Sequence, residues 1–443
     1  MVSTFLAQLD KRANTANIIM QNQVVGAEEV IEKIAAIRRQ TLHLYAQQVA
    51  VRYTNLTDFV TALVAFDGWC EALYLCPADG IGELDSGIYS WPEPYVEQET
   101  GDKTRLFNTE QKQAMGKGYS LIATRWYLAS SGTTGAPKWF SHSFASLTRG
   151  VKHSPRMQSL RWGSLYQPYR FAGLQVLLQA LLSGASIVEP WSEDLLTKMQ
   201  QYALCEVSAI SATPSMWRQL LRTHMLNHLP LINITLGGEI ADQALLDILH
   251  LTFPQGRIRH IYASTEAGVG FVVADNYAGF PACWLTQGIP GAALMIDDNQ
   301  HLRIKSSTHI DPTLAHRIDV NGYLDTQDRI QISGDRVLFM GRASGVINVG
   351  GNNIHPEKVE TVILQVPQVQ HVRVFGKNNS VMGALVMADV VVNDDADWAT
   401  VVANIRQQCK TQLQHFEIPV KFYQQEKIDM SPSGKLTRIN ENG

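Results

Sequence analysis

The segment 127–140, YLASSGTTGAPKWF, has the residue types that hold an anion. Glycines let backbone N–H groups approach a phosphate closely, hydroxyl groups add donors, and a lysine adds a mobile positive charge. These groups come from Ser130, Ser131, Gly132, Thr133, Thr134, Gly135 and Lys138. The segment therefore predicts a phosphate-binding loop, although its six central residues alone would equally suit an exposed turn.

This loop differs from a Walker A motif. In that motif the lysine directly follows the second glycine, and a Ser or Thr comes next. Here Ala136 and Pro137 separate Gly135 from Lys138, and Trp139 follows the lysine. The spacing therefore disfavours an NTPase or phosphotransferase built on this loop alone.

Composition narrows the class of protein. The chain has 443 residues, 45% hydrophobic and 18% charged, which is typical of a globular protein of two or three domains. The net charge of −4, without a long basic tract, argues against nucleic-acid binding and against a polybasic membrane anchor. No apolar run reaches the ~18 residues of a transmembrane helix. The five cysteines are scattered, so we expect neither a disulfide framework nor a zinc site, and we expect a cytoplasmic location.

Strand-like and helix-like segments alternate through most of the chain. Apolar spacing predicts helices over 27–45 and 173–184, the second ended by Gly184. Strands are predicted within 48–54, 119–130, 185–190, 205–214 and 231–239. Residues 79–115 predict a loop region. This alternation indicates a parallel sheet covered by helices.

The pattern changes from about residue 341. Residues 371–392 predict a hairpin of two strands, and 397–414 an amphipathic helix. We therefore predict an α/β protein of two domains. A large N-terminal domain of helix-covered, mostly parallel sheets would span 1–342, and a small mobile α+β domain would span 343–443.

The loop SSGTTGAPK resembles the phosphate-binding signature of the adenylate-forming superfamily, which includes acyl-CoA synthetases, aryl-acid ligases and peptide-synthetase adenylation domains. Further segments resemble other motifs of that family, in the family's order. They are LGGE at 236–239, YASTE at 262–266, GYLDTQDRI at 322–330, GRASGVINVGGNNIHPEKVE at 341–360 and SPSGKLTR at 431–438. The resemblance covers the chain from about residue 25 to its end.

The chain departs from the family pattern at several positions. Ala263 and Gln327 stand where glycine is usual, and Trp139 stands where the family has a small residue. Ser344 occupies the hinge position, where Asp or Lys is usual, and Asn348 stands where a lysine is common. These departures leave open a relative that binds nucleotide or acyl ligand without catalysis, or that performs only the adenylation.

The resemblance implies that ATP and Mg²⁺ activate a carboxylic acid as an acyl-adenylate, with release of pyrophosphate. The acyl group would pass to the thiol of coenzyme A, or to the phosphopantetheine of an acyl carrier protein. The catalytic residues would be Lys435, Thr265 and Glu266, and Glu266 would also bind Mg²⁺. The loop with Lys138 would hold the β- and γ-phosphates. A homodimer is compatible with the family.

The resemblance also assigns the remaining contacts. Adenine and ribose would contact Gly238, Glu239, Tyr262, Asp328 and Arg342. Ser344 would be the hinge about which the C-terminal domain moves, and the thiol would approach past Gly350 and Gly351.

The acyl pocket would be lined by Arg170, Phe171, Gly173 and Gly268. Arg170 stands where relatives have His or an aromatic residue, and a buried arginine needs a partner. Arg170 would therefore either reach solvent or pair with a carboxylate, which would belong to the protein or to the substrate. The apolar AGVGFVV at 267–273 and the lack of an aspartate for an α-amino group favour an aryl or arylalkenoic acid, with a fatty acid next.

Overall fold

The structure is a computed structural model that describes residues 4–21, 23–80, 87–92, 119–130, 138–306, 311–342, 345–379 and 382–428. The chain divides into two compact units. The first comprises Met1–Ile210, Thr265–Gly268 and His309–Thr313, and the second comprises Ser211–Ser264, Val269–Thr308 and Leu314–Gly443. This division does not follow the expected boundary at residues 342 and 343, which stays a prediction.

The described residues of the first unit form ten strands, the last of which continues into the second unit. They are β1 (Asn17–Met20), β2 (Gln23–Gly26), β3 (Gln48–Arg52), β4 (Ala72–Cys76), β5 (Tyr89–Trp91), β6 (Arg125–Ser130), β7 (Lys138–Ser143), β8 (Arg161–Gly163), β9 (Ser186–Glu189) and β10 (Ala209–Ala212), within which the division between the units falls. One sheet has the order β5-β3-β4-β6-β7, and the other strands follow the order β10-β8-β9-β1-β2. Pairing is parallel except between β6 and β7 and between β1 and β2.

Helices accompany these strands. They are α1 (Phe5–Leu9), α2 (Ala27–Gln40), α3 (Leu56–Phe66), α4 (Phe144–Thr148), α5 (Pro155–Gln158), α6 (Phe171–Ser183) and α7 (Leu195–Leu204). Every residue of α3 except Asp58 is buried, as expected of a helix that is apolar on all sides. Gly184 ends α6 with a φ of 81°, a left-handed conformation that glycine adopts without a Cβ clash.

The second unit begins with α8 (Pro214–Arg222) and α9 (Gln243–Thr252), which accompany the strand order β13-β12-β11. These strands are β11 (Asn233–Gly237), β12 (Arg257–Ser264) and β13 (Gly268–Val273). An antiparallel sheet follows in the order β14-β18-β17-β16-β15. Its elements are β14 (Phe280–Pro281), α10 (Trp284–Gln287), β15 (Ala292–Ile296), β16 (His301–Ser306), β17 (Leu324–Ser333) and β18 (Arg336–Arg342).

The last part of the second unit forms its own sheet, with the order β20-β19-β22-β21 and with β23 beside β22. The strands are β19 (Ile347–Val349), β20 (Asn352–Ile354), β21 (Val369–Asn379), β22 (Gly383–Val392) and β23 (Lys421–Gln424). The helices are α11 (Pro356–Ile363) and α12 (Trp398–Gln412). Ile405 and Cys409 of α12 are fully buried in a core that includes Val359 and Val390.

The structure confirms the predicted α/β class and most of its elements, including the C-terminal hairpin and both of the long N-terminal helices. Two features differ from the sequence prediction. The strand β5 lies within the region expected to be a loop. In the sheet formed by β14 to β18, each neighbouring pair of strands is antiparallel. Among the described residues, no helix is long and apolar enough to cross a membrane.

Candidate active site

Strand β7 carries Lys138 at its first position, directly after the predicted phosphate loop. Ser130 and Lys138 are partners across the β6–β7 pair, so the loop connects two hydrogen-bonded strands. Lys138 is exposed and makes no ion pair with any residue that the structure describes. An unpaired ammonium at this position can bind a polyphosphate.

The same strand contacts the YASTE segment. His142 of β7 is 4% exposed, and its Nε2 lies 2.7 Å from the carbonyl oxygen of Thr265. Glu266 follows, partly buried, and within the described part of the chain its carboxylate has no hydrogen-bond or ion-pair partner. A carboxylate that no protein donor occupies suits a hard cation such as Mg²⁺. The structure thus brings the strand that follows the phosphate loop into contact with the YASTE segment within the first unit.

Arg170 lies at the N-terminal end of α6. Its Nη1 donates to the carbonyl oxygen of Ala129, at 3.3 Å, and its guanidinium lies 5.8 Å from the ring of Tyr169. Its Nε is buried without a hydrogen-bond partner, and no described carboxylate forms an ion pair with it. The protein carboxylate that was one expected partner of Arg170 is therefore not found among the described residues.

Two other predicted pocket residues have packing roles. Phe171 is 8% exposed, and its ring centroid lies 5.6 Å from that of His142. A Cβ on Gly173 would lie 2.2 Å from the carbonyl oxygen of Gln167, so only glycine allows this close approach. Gly268, the first residue of β13, has a φ of 73°.

In the second unit, Asp328 contacts two other residues of the predicted adenine and ribose site. The Tyr262 hydroxyl donates to Oδ2 of Asp328, and Nε of Arg342 donates to Oδ1 at 3.0 Å. Asp328 is 9% exposed, so these contacts compensate for the burial of its charge. The structure brings these three predicted residues together.

The ring of Tyr262 is covered on both faces. It stacks on Phe271 of β13 at 4.9 Å between centroids and on Phe339 of β18 at 5.2 Å. Burial, followed by the charge of Asp328, raises the pKa of the Tyr262 hydroxyl well above its usual value, so it stays a donor. Stacking of Tyr262 on adenine would require one phenylalanine to move, and that role stays a prediction.

Gln327 occupies a β-bulge next to Asp328. The register between β16 and β17 shifts between His301 and Arg303, and Gln327 has a φ of 61°. This left-handed conformation explains in physical terms why glycine would suit the position. The Oδ1 of Asp325 accepts from the Gln327 backbone N–H at 2.8 Å and stabilises the turn.

The LGGE segment has one positive φ, 83° at Gly238. The carboxylate of the following Glu239 accepts from the backbone N–H of Ser215 at 2.9 Å, in the first turn of α8. A negative charge there compensates unpaired N–H groups and the helix dipole. The side chain of Glu239 therefore has a structural role, which leaves the backbone of this segment for a nucleotide.

Gly350 and Gly351 form the two-residue turn between β19 and β20. Their φ values are 56° and 86°, as a tight hairpin turn with two left-handed residues requires. Oδ1 of Asn348 accepts from the Gly351 N–H at 3.1 Å, so the residue found in place of a lysine stabilises this turn. The predicted passage of a thiol past these glycines stays a prediction.

Several predicted residues lie outside the described part of the chain. They are Ser131, Gly132, Thr133, Thr134, Gly135, Ser344 and Lys435. Sequence reasoning missed His142 and Phe339. His142 had one signal, its position in the strand that follows the phosphate loop.

Two family models match the chain. The model of the AMP-binding enzyme family matches residues 124–306, and that of the AMP-binding enzyme C-terminal domain matches residues 358–435. A 2-succinylbenzoate–CoA ligase of Listeria innocua serovar 6a is 26% identical over 347 residues, which cover 73% of this chain and 70% of the relative. The corresponding ligase of Staphylococcus epidermidis is 23% identical over 355 residues, which cover 75% and 72%.

Solved structures share the fold. NpsA of Klebsiella oxytoca, in complex with 3-hydroxyanthranilyl-AMSN, has a TM-score of 0.76 at 15% identity and covers 99% of this chain and 98% of its own. The o-succinylbenzoate CoA synthetase of Bacillus subtilis, in complex with OSB-AMP, has a TM-score of 0.68 at 19% identity with the same coverage. The two family models together match more than half of the sequence. The chain belongs to the adenylate-forming superfamily of AMP-binding enzymes.

Proposed function

We propose that this AMP-forming ligase activates an aryl acid with ATP and passes the acyl group to the thiol of coenzyme A. The observation that carries the proposal is the hydrogen bond between His142 and Thr265, residues 123 positions apart. It links the strand that presents Lys138 to the turn that presents Glu266. A cation for phosphate and a carboxylate for Mg²⁺ are the groups that adenylation requires.

The residues present suit ATP and Mg²⁺. Among the described residues, the ammonium of Lys138 has no ion-pair partner and is available for the β- and γ-phosphates, and the carboxylate of Glu266 has no protein donor. Asp328, positioned by Tyr262 and Arg342, would accept hydrogen bonds from the ribose hydroxyls. Bound Mg²⁺ would neutralise charge on the phosphates.

Catalysis of the first step is mostly positioning and charge stabilisation. The acid carboxylate attacks the α-phosphorus of ATP, an acyl–phosphate bond forms, and the bond to pyrophosphate breaks. Lys435 would bridge the acid and the phosphate while Lys138 holds the departing pyrophosphate. In the second step the thiol sulfur attacks the acyl carbonyl and AMP leaves. We propose that the domain 343–443 moves about Ser344 between the steps and brings Gly350 and Gly351 to the thiol.

The unpaired Nε of Arg170 supports an acid with a second anionic group. A buried guanidinium donor without a partner is costly, and a carboxylate of the substrate would satisfy it. The curated relatives act on 2-succinylbenzoate, which has two carboxylates. We therefore place aryl dicarboxylic acids first among the candidates, before aryl monoacids and fatty acids.

Pyrophosphate exchange over a panel of paired acids tests this function. We expect exchange with aryl acids, and more with the member of each pair that has a second carboxylate. Arg170→Gln should lower exchange about tenfold or more with diacids and little with monoacids, because one charge-assisted hydrogen bond is lost. Arg125→Gln, which removes an exposed charge from the opposite end of β6, is the matched control.

Two results would contradict these assignments. Binding of ATP without exchange for any acid would favour a non-catalytic relative, the alternative function. An equal effect of Arg170→Gln on every acid, with a raised KM for ATP, would assign Arg170 to a phosphate.

Thioester yields with coenzyme A and with a phosphopantetheinylated carrier protein would decide between the acceptors. A cytoplasmic location and a homodimer remain part of the proposal.

A further inference from the structure

We propose that His142 is a positioning residue that fixes the peptide between Thr265 and Glu266 and thereby aims the carboxylate of Glu266 at Mg²⁺. The inference rests on the proposed function and goes beyond it, because neither the family motifs nor the comparisons assign a role to His142. In this proposal, the orientation of the Glu266 carboxylate depends on β7, the strand that follows the phosphate loop.

The hydrogen bond fixes the state of the histidine. A carbonyl oxygen only accepts, so Nε2 of His142 carries the proton and donates to Thr265 at 2.7 Å. The side chain is 4% exposed, and water therefore does not compete for this carbonyl from the histidine side. Breaking the bond would leave a buried polar group without its partner, at a cost of ~1–3 kcal/mol.

Peptide geometry carries the constraint to Glu266. The carbonyl of Thr265 and the N–H of Glu266 belong to one planar group. A donor that fixes the oxygen therefore fixes the direction in which the chain enters Glu266. Two residues after Glu266, Gly268 has a φ of 73°, and a Cβ there would have no atom within 4 Å. The hydrogen bond from His142 restrains the chain directly before Glu266.

The histidine itself is held in place. It pairs with Trp126 across β6 and β7, and its ring packs against Phe171. Residues 138, 140 and 142 lie on one face of β7 because side chains alternate along a strand. Lys138 and His142 are therefore on the same face, and one rigid strand sets both the phosphate-binding cation and the metal-binding carboxylate.

Variants that keep or remove the donor test this role. His142→Leu keeps an apolar filling and removes the N–H. His142→Gln has an amide N–H at the reach of Nε2, and His142→Asn has a shorter one. Because outer-sphere partners of a metal ligand are typically worth about 10- to 100-fold in affinity or activity, we expect His142→Leu and His142→Asn to weaken Mg²⁺·ATP binding by that factor, and His142→Gln to recover most of it.

The measurements separate positioning from folding. Calorimetric titration with Mg²⁺·ATP gives affinity without turnover, and pyrophosphate exchange against Mg²⁺ concentration gives the metal requirement. We expect a higher Mg²⁺ requirement, an unchanged KM for the acid, and normal thioester formation from supplied acyl-adenylate. Melting temperature reports any general destabilisation.

The inference is wrong if His142→Gln and His142→Leu bind Mg²⁺·ATP with wild-type affinity at unchanged melting temperature. It is also wrong if both variants lose binding, melting temperature and both half-reactions to the same extent, because that is the signature of a purely structural histidine. If the wild-type protein shows no exchange with any acid, the proposed function fails, and the calorimetric comparison of the variants still tests His142.

Discussion

The hydroxyl of Tyr262 donates to the carboxylate of Asp328, and the two residues come from different motifs, 66 positions apart. The tyrosine stacks between Phe271 and Phe339, so its hydroxyl cannot turn away without disturbing both rings. The aromatic stack thus orients the carboxylate that would bind ribose.

Tyr262→Phe should expose this coupling. The variant keeps the stacked ring and removes one of the two donors to Asp328. We expect a loss of ~1–3 kcal/mol in the free energy of unfolding and up to about tenfold higher KM for ATP, as for one lost hydrogen bond to a charged group. Urea unfolding and exchange at varied ATP measure these quantities. Tyr277→Phe, at a tyrosine that is 61% exposed, should change neither; equal behaviour of the two variants would contradict the coupling.

Gln327→Gly should stabilise the protein. The φ of 61° at Gln327 strains any residue with a Cβ, and glycine removes that strain. After the entropy that glycine loses on folding, the expected gain in the free energy of unfolding is ~0.5–1 kcal/mol. Gln327→Ala keeps the Cβ and should give no gain. A loss of stability in the glycine variant would show that the Gln327 side chain makes a contact that outweighs the strain.

The sequence predicts best what is determined locally. The helix ended by Gly184 and the amphipathic helix around Ile405 and Cys409 follow from spacing and from one left-handed glycine, all within a few residues. In the sequence, Gln327 is visible only as a departure from a motif, and its backbone φ gives that departure a physical reason.

Contacts between distant segments were not predictable in the same way. The hydrogen bond from His142 to the carbonyl oxygen of Thr265 depends on how strand β7 packs against the turn after β12. No local sequence pattern encodes this packing. The side chain of Glu239 illustrates the same limit, since its role at the start of α8 depends on a segment 24 residues away. Motifs indicated the candidate residues, and the tertiary structure decided which of their atoms remain available.

Trp139→Ala should lower stability without impairing chemistry. Trp139 replaces the small residue of the family, and its ring lies edge-on to Tyr74, which stacks on Tyr127. The loss of this aromatic contact and of buried area should cost ~1–2 kcal/mol in the free energy of unfolding. Trp139→Phe should keep most of it. Pyrophosphate-exchange activity should stay within about twofold, because the substitution leaves the neighbouring Lys138 unchanged. A large fall in activity at unchanged stability would instead place Trp139 in the active site.

His371 should make stability depend on pH. Burial, followed by the charges of Arg218 and Arg222 on α8, lowers the pKa of His371 from 6.5 to about 3. The ring is therefore neutral in the folded protein. In the unfolded chain it binds a proton below its ordinary pKa of 6.5. The contribution of His371 to the free energy of unfolding is complete above pH 6.5 and is lost as the pH falls from 6.5 toward 3. Over that range the free energy of unfolding falls by up to ~1.4 kcal/mol per pH unit.

The comparison of wild type with His371→Leu isolates this group. Between about pH 7 and about pH 5, wild type should lose ~2 kcal/mol more free energy of unfolding than the variant. Urea unfolding at both pH values measures the difference. His228→Gln, at an exposed histidine, should keep the wild-type pH dependence. Parallel pH profiles for wild type and His371→Leu would mean that the second unit accommodates a charged His371.

Lys435→Ala should separate the two half-reactions. Lys435 would neutralise charge that develops during adenylation, and the loss of one such group typically costs about 100- to 1,000-fold in rate. Thioester formation from supplied acyl-adenylate should continue, because that step would use the other position of the C-terminal domain. Lys427→Ala, at an exposed lysine in the same region, should affect neither reaction. If Lys435→Ala slows both half-reactions equally, the lysine does not leave the site between the steps, and the proposed alternation of the domain is wrong.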